Sequence, residues 1–261
     1  MQKALKRLTS ELFATHRVEQ HALFRLLDAD RLTPEEAQAV GLEIFHVVDA
    51  FPRFLAALLA NLADYRERMD LVENLYAEHG RMHSQHVHVV TYRHFLYALG
   101  LDDAHIDGSR PGVAALAYVR AMLALCAREQ PAEALGALGV IEETVARVSP
   151  SVGRYGQRRL GGARGFGSHF SVHETLDLSH ADEIYQLAAG ACARGEQQAV
   201  LRGIALGFYH QTRLYTDLVA AHVSPERLGA LVAHNRPVYL GAEALERGLS
   251  DTLLPRRAEP G

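Results

Sequence analysis

The sequence predicts an all-α protein, and three features of the 261-residue chain support this fold class. Apolar residues recur at spacings of three and four over long segments, which is the period of an amphipathic helix. Leu, Ala, Glu and Arg, which suit helices, dominate these segments. The sequence shows no convincing strand pattern and no internal repeat. We therefore expect a single bundle of about seven main helices.

The first half of the chain divides into four expected helical segments. An apolar run covers residues 5–27. The next helix starts with a capping box in Thr33-Pro34-Glu35-Glu36, where the proline fits the first turn, and it continues to about residue 63 with a bend near Pro52. Glycines are common at helix ends, and they close the two helices expected at about 64–79 and 86–99.

The second half contains the remaining long helices and a C-terminal segment. Six glycines and four arginines between residues 149 and 168 predict a loop, and a short helix is expected from Pro225. We assign residues 1–222 to the bundle and residues 223–261 to a C-terminal helical extension and tail. The long helices are expected at about 111–128, 131–148, 171–194 and 196–222.

Composition excludes several classes of protein. Apolar residues make up 48% of the chain and charged residues 22%, which are globular proportions and not those of a disordered chain. The net charge of −4 lacks the basic excess of a general nucleic-acid binder. Cys126 and Cys192 form no CxxC pair, which excludes a disulfide framework and a Cys-rich zinc site.

The expected location is the cytoplasm. The longest apolar stretch, Phe54 to Ala60, is too short to span a bilayer, and the amphipathic start MQKALKRLTSELF lacks a secretory hydrophobic region. We therefore expect neither a membrane nor a nucleic acid as a partner.

Histidine is frequent, at 15 of 261 residues, and the sharpest local motif is His173-Glu-Thr-Leu-Asp177-Leu-Ser-His180. At 100° per residue, positions i, i+4 and i+7 lie on one face of a helix. Two imidazoles and a carboxylate on one face suit iron, manganese or zinc. Taken alone, the same motif also fits a polar helix face wetted by solvent.

Carboxylates also occur in two other segments, ENLYAEHG at 73–80 and GALGVIEET at 136–144. Burying a carboxylate is costly unless a cation, a hydrogen-bond partner or a proton compensates for it. Glu142 has apolar neighbours at i−4 and i+3, which indicates that it faces the core. We expect Glu143 to lie on a solvated edge instead.

These segments together resemble the haem-oxygenase-like dimetal oxidases and oxygenases, which share a seven-helix fold with thiaminase-type proteins. The resemblance covers roughly residues 10–220 and is closest to the branch of self-sacrificing p-aminobenzoate synthases. It implies six metal ligands, and the sequence matches all six positions. The motifs that carry it are LTPEEAQAV, AFPRFLAAL, ENLYAEHG, HVVTYRHFLYALGL, GALGVIEETV and HFSVHETLDLSHA. The implied ligands are Glu78, His88, Glu142, His173, Asp177 and His180.

His88 needs a separate argument, because a residue ten positions after Glu78 is not on the same face of a continuous helix. Counting back from the Leu-Gly helix end, as the family pattern requires, selects His88, with His83 and His86 as alternatives. A helix break at Gly80 would have to let the chain re-enter the site.

The resemblance also implies the cofactors and the reaction. It implies two irons that cycle between Fe(II) and Fe(III), with manganese as an alternative in one site, and O₂ as the co-substrate. A peroxo-diiron intermediate would then oxidise a small amine or amino-acid-like metabolite. The resemblance further implies an external reductant and is compatible with a homodimer.

Departures from the aminobenzoate-synthase branch indicate an external substrate. Phe24 stands where that branch has its sacrificial Tyr, and Val152 stands where it has a Lys. Phenylalanine lacks the phenolic oxygen and valine lacks the amine, so self-sacrifice by these residues is not expected. We assign Phe24 and Phe45 to the substrate pocket, and Arg93 and Arg164 to a substrate carboxylate.

Two other classes of function stay open from the sequence. A cofactor-free, thiaminase-like enzyme on the same fold would need a nucleophilic cysteine in the pocket, whereas Cys126 and Cys192 lie in Ala-rich apolar runs. A non-enzymatic bundle for metal binding or protein interaction would give the C-terminal extension a role.

Overall fold

The computed structural model describes the backbone of residues 1–160 and 167–253, and the side chains of residues 1–159 and 178–252. Within these ranges the chain is all-α, as the sequence predicts, with twelve α-helices and no β-strand. The helices are α1 (Gln2–His16), α2 (Ala22–Asp28), α3 (Pro34–Asn61), α4 (Tyr65–Glu78), α5 (His88–Ala98), α6 (Asp103–Gly108), α7 (Val113–Cys126), α8 (Ala132–Leu160), α9 (Gly167–Ala193), α10 (Gln197–His222), α11 (Pro225–Leu228) and α12 (Ala242–Leu253).

The capping box expected at the start of α3 is present. The Thr33 hydroxyl accepts from the Glu36 backbone N–H, and the Glu36 carboxylate accepts from the Thr33 N–H. α3 then runs through Pro52 as one helix of 28 residues. Its length lets a single helix contact α4, α5 and α7 and supply a long wall of the interior.

The continuous helix suggested by the apolar run at 5–27 is wrong. Arg17 has a φ of 45° and ends α1, and a short 3₁₀ turn separates it from α2. His21 begins α2, because its imidazole Nδ1 accepts from the Leu23 N–H. The break turns α2 so that five of its residues, including Phe24, are buried.

The loop expected from residue 149 is also wrong over its first part, since α8 continues to Leu160 with Pro150 inside it. A proline removes one helical hydrogen bond, so surrounding contacts must hold the helix together. The Arg154 guanidinium binds the Asp28 carboxylate at 2.8 Å, and that of Arg158 donates to the Leu27 carbonyl at 2.5 Å. These contacts fasten the last turns of α8 to α2.

α8 is the central helix and packs along both α9 and α10. Glycine permits the close crossing with α10, because a Cβ on Gly203 would collide with the Glu133 carbonyl and one on Gly136 with the Val200 carbonyl. The close crossing brings polar residues in the middle of α8 near those of α10.

The C-terminal extension packs back on the bundle. α12 lies against α1 and α10, with Leu245 and Leu249 buried. Between α11 and α12, the Val238 N–H donates to the Thr212 hydroxyl on α10 at 2.8 Å. No helix in the described ranges is long and apolar enough to cross a membrane.

Candidate metal centre

Four side chains of the types that bind iron are buried in the bundle interior, each from a different helix. Glu78 is the last residue of α4 and His88 the first of α5, while Glu142 lies midway along α8 and His180 along α9. Their exposed fractions are only 3% to 7%. The sequence predicted all four as ligands.

The four side chains lie as two close pairs. Nδ1 of His88 is 2.9 Å from Oε1 of Glu78, and Nδ1 of His180 is 3.9 Å from Oε1 of Glu142. Asn74, one turn before Glu78 on α4, donates from Nδ2 to the same Glu142 oxygen at 2.8 Å. This amide therefore ties the helix that carries Glu78 to the helix that carries Glu142.

Gly80 provides the chain reversal that brings His88 back to Glu78. Its φ is +62°, and a Cβ at this position would lie 2.5 Å from the backbone of His86 and Val87. The two other candidate histidines, His83 and His86, are exposed. Of the three, His88 is the one that the structure places against Glu78.

The remaining two predicted ligands, His173 and Asp177, lie on α9 before His180, and their side chains are outside the described residues. Among the side chains that are described, no three His, Cys, Asp or Glu residues gather closely enough to hold a metal ion. The donor set of the four still fits iron, because buried carboxylates and imidazoles are its usual protein ligands.

Glu143, next to Glu142, lies in different surroundings. The expectation that it lies on a solvated edge is wrong, because it is 7% exposed. Its carboxylate accepts from Nη2 of Arg147 at 2.6 Å and from the Tyr185 hydroxyl at 3.2 Å. A helix advances 100° per residue, so Glu143 points about 100° away from Glu142 and binds different partners.

A cavity of about 130 Å³ adjoins the cluster, and Glu78, His88 and Glu142 form part of its wall. The wall is largely apolar, and Phe24 and Val152 belong to it. Its apolar members are Phe24, Ile44, Val47, Val48, Phe51, Ile141, Val145, Val148, Val152 and Leu214. A cavity of this size accommodates a molecule with about one ring.

Two predicted substrate residues lie elsewhere. Arg93 binds Asp103 at 2.6 Å and Asp107 at 2.8 Å, and its guanidinium stacks 5.9 Å from the ring centroid of Phe45. Neither Arg93 nor Phe45 is among the described residues that line the cavity. The fourth, Arg164, is outside the described residues.

Sequence reasoning missed a polar group in the cavity wall. Tyr118 donates from its hydroxyl to Oε1 of Gln211 at 2.5 Å, and Nε2 of Gln211 donates to the Tyr215 hydroxyl at 2.6 Å. Burial raises the pKa of both tyrosine hydroxyls, which therefore stay protonated. The available signal was a glutamine on the apolar face of α10, between Phe208 and Leu214.

The chain matches the profile of the iron-containing redox enzymes over residues 39–212, which is two thirds of its length. The chain belongs to this family. The matched range includes all six predicted ligand positions, from Glu78 to His180.

Two named enzymes and one solved structure are similar to this chain. A 4-aminobenzoate synthase of Chlamydia pneumoniae is 28% identical over 185 residues, which cover 70% of this chain and 81% of that protein. A 4-chloro-allylglycine synthase of Streptantibioticus cattleyicolor is 22% identical over 176 residues, covering 67% of each chain. A Shewanella denitrificans domain of unknown function with a heme oxygenase-like fold superposes with a TM-score of 0.65 at 15% identity, covering 90% of this chain and 98% of that one. The fold of this member of the family is therefore heme oxygenase-like.

Proposed function

We propose that this iron-containing redox enzyme is a di-iron oxidase or oxygenase that uses O₂ to oxidise a small amine or amino-acid-like metabolite. The supporting observation is that Glu78, His88 and Glu142 line one largely apolar cavity and that His180 is buried beside Glu142. Burying four ionisable side chains together is costly, and a shared metal would compensate for that cost.

In this proposal Glu78, His88 and Glu142 mainly hold one metal, and His180 holds the other together with His173 and Asp177. A bound iron pair would supply the redox chemistry of O₂ activation. The Asn74 amide fixes the orientation of the Glu142 carboxylate. The apolar wall would exclude water from the substrate, and the proposal includes an external reductant as a partner.

Two features support a small external substrate. Phe24 and Val152, at the positions of the sacrificial Tyr and the Lys of the aminobenzoate-synthase branch, line the cavity and offer neither a phenol nor an amine. The phenols that line it stand at other positions, namely Tyr92, Tyr118 and Tyr215. The names of the two relatives describe the synthesis of 4-aminobenzoate and of 4-chloro-allylglycine, both of which carry an amine. A small nitrogen-containing metabolite is consistent with both features.

The cofactor-free alternative is disfavoured by the state of the cysteines. Burial raises the pKa of the Cys126 thiol to about 12, and burial also raises that of Cys192. A thiol that stays protonated is a poor nucleophile. Neither residue is among the described residues that line the cavity.

The test is anaerobic loading with Fe(II), followed by metal analysis and measurement of O₂ uptake. We expect about two irons per chain, as in carboxylate-bridged di-iron bundles, and O₂ uptake that His180→Ala abolishes. The matched control is His94→Ala, which replaces an exposed histidine on α5. This variant should retain both the two irons and the O₂ uptake. Full metal binding in His180→Ala would overturn the ligand assignment, and two bound irons without O₂ uptake would favour the metal-binding bundle.

A further inference from the structure

We propose that the part of the substrate that meets Tyr118, Gln211 and Tyr215 is uncharged, with an apolar body and one neutral hydrogen-bonding group that these residues recognise. This inference deepens the proposed function, because it treats the occupant of the cavity as the substrate. The three residues are each 4% exposed and all line the cavity.

Hydrogen-bond counting shows that the group can offer donors to a ligand. The two tyrosine hydroxyls and the Gln211 amide carry four polar protons, and the two contacts between them use two. This holds whichever way the amide oxygen and nitrogen are assigned. Two protons therefore lack an acceptor within the group, and because burial keeps both phenols protonated, these protons persist at neutral pH.

Charge in the described part of the cavity wall is confined to Glu78, His88 and Glu142, so the part of the wall near Tyr118, Gln211 and Tyr215 offers no charged partner for a charged group. Among the described residues, the wall contains no lysine or arginine. Arg93, a candidate partner for a carboxylate, is held outside by Asp103 and Asp107. A carboxylate beside Tyr118, Gln211 and Tyr215 would exchange water for neutral donors alone, which is costly in a wall that is mainly apolar.

The recognition group is also held rigidly in place. Tyr215 packs edge-on against Phe24 with ring centroids 4.8 Å apart, and Tyr118 packs edge-on against Phe54 at 6.3 Å. Gln211, one turn before Tyr215 on α10, links that ring to Tyr118 on α7. Preorganised donors bind a ligand without a further loss of side-chain entropy.

The test uses three probes of one ring each, namely benzyl alcohol, toluene and benzoate. Dissociation constants are measured by NMR titration on metal-free protein and on the anaerobic Fe(II)-loaded protein. We expect benzyl alcohol to bind about fivefold more tightly than toluene, which is the effect of one net hydrogen bond. We expect benzoate to bind at least about tenfold more weakly than benzyl alcohol.

Two variants separate recognition from folding. Gln211→Leu should weaken benzyl alcohol to the level of toluene and leave toluene unchanged, and Tyr215→Phe provides a milder second variant. Gln38→Leu is the matched control, because its amide binds the Leu99 carbonyl and does not line the cavity. Its probe affinities should equal those of the wild type.

Benzoate binding as tight as that of benzyl alcohol would overturn the inference, as would an unchanged preference for benzyl alcohol over toluene in both Gln211→Leu and Tyr215→Phe. The iron content is measured separately. The expected probe preference without iron binding would contradict the proposed function alone, and iron binding with O₂ uptake but without that preference would contradict the substrate inference alone.

Discussion

Buried polar side chains in this molecule fall into two groups, those that line the apolar cavity and those that bind partners away from it. Glu142 and Glu143 are neighbours on α8 and are almost equally buried. Glu142 lies in the cavity wall beside Asn74 and His180, whereas Glu143 is held by Arg147 and Tyr185. The difference shows that burial alone does not identify a site, and that the surroundings of each carboxylate decide its role.

The largest expected effect comes from replacing each of these two neighbouring glutamates in turn. Glu142→Gln removes a charged ligand, so iron affinity should fall by more than the roughly 100-fold that loss of an outer-shell partner costs. Glu143→Gln weakens the contacts with Arg147 and should lower the free energy of unfolding by about 1–2 kcal/mol while iron content is unchanged. Metal analysis and urea denaturation measure the two effects. Equal metal loss in both variants would contradict the assignment.

The next largest effect is a pH dependence of stability caused by His21, a buried histidine that does not line the apolar cavity. Burial, with a smaller contribution from His234, lowers its pKa to about 3, while its ring contacts Thr216 and Tyr215. The unfolded chain takes up a proton below about pH 6.5 and the folded chain does not, so stability falls as pH falls. Between pH 6.5 and pH 4 this loss should be about 3 kcal/mol.

Chemical denaturation across this pH range measures the loss. His21→Gln should flatten the pH dependence, even though it also weakens the start of α2. The matched control is His94→Gln, on the exposed face of α5, which should keep the wild-type slope. A wild-type slope in His21→Gln would show that another group is responsible.

A smaller effect is expected from Asn74, which contacts a predicted ligand and is not itself one. Asn74→Ala should lower iron affinity by about 10- to 100-fold, because the Glu142 carboxylate loses the amide that orients it. Asn61→Ala is the control, since that amide donates to the carbonyls of Ala57 and Cys126 and not to a predicted ligand. Chelator competition measures the iron affinity of each variant. Equal affinities would show that Asn74 does not support the metal centre.

The smallest effect is expected at Arg93, which lies outside both groups. Asp103 and Asp107 are about 70% exposed, so their ion pairs with Arg93 contribute little. Arg93→Ala should lower the free energy of unfolding by less than about 1 kcal/mol. The Arg93→Ala variant should bind benzoate as the wild type does in an NMR titration. A large loss of benzoate affinity would support the carboxylate-binding role expected for Arg93 from the sequence.

Local signals in the sequence predicted most of the helices. The capping box at Thr33 and the glycine at helix ends depend on residues close in the chain, and both are present in the structure. The break at Arg17 was missed because the left-handed helix end falls on an arginine and not on a glycine. The continuation of α8 through Pro150 was missed because tertiary contacts stabilise it. Arg158, for example, binds α2 from 131 positions away.

The candidate site divides in the same way. Glu142 was recognisable as a charged residue in an apolar run, whose burial requires an explanation, whereas Glu78 was assigned from the family resemblance. Tyr118, Gln211 and Tyr215 were not, since neutral polar residues also occur in ordinary cores. Their role depends on contacts between α7 and α10, which no spacing within either helix specifies.

Gly80 has a consequence for how this protein can vary. The 2.9 Å separation of His88 from Glu78 depends on a backbone turn whose central residue has no room for a side chain. A substitution of Gly80 would displace His88 from Glu78 and so disrupt the candidate metal centre, although every predicted ligand would still be present in the sequence. A search that checks only the predicted ligands would therefore classify a Gly80 variant as functional. Gly80 should be checked together with the ligands.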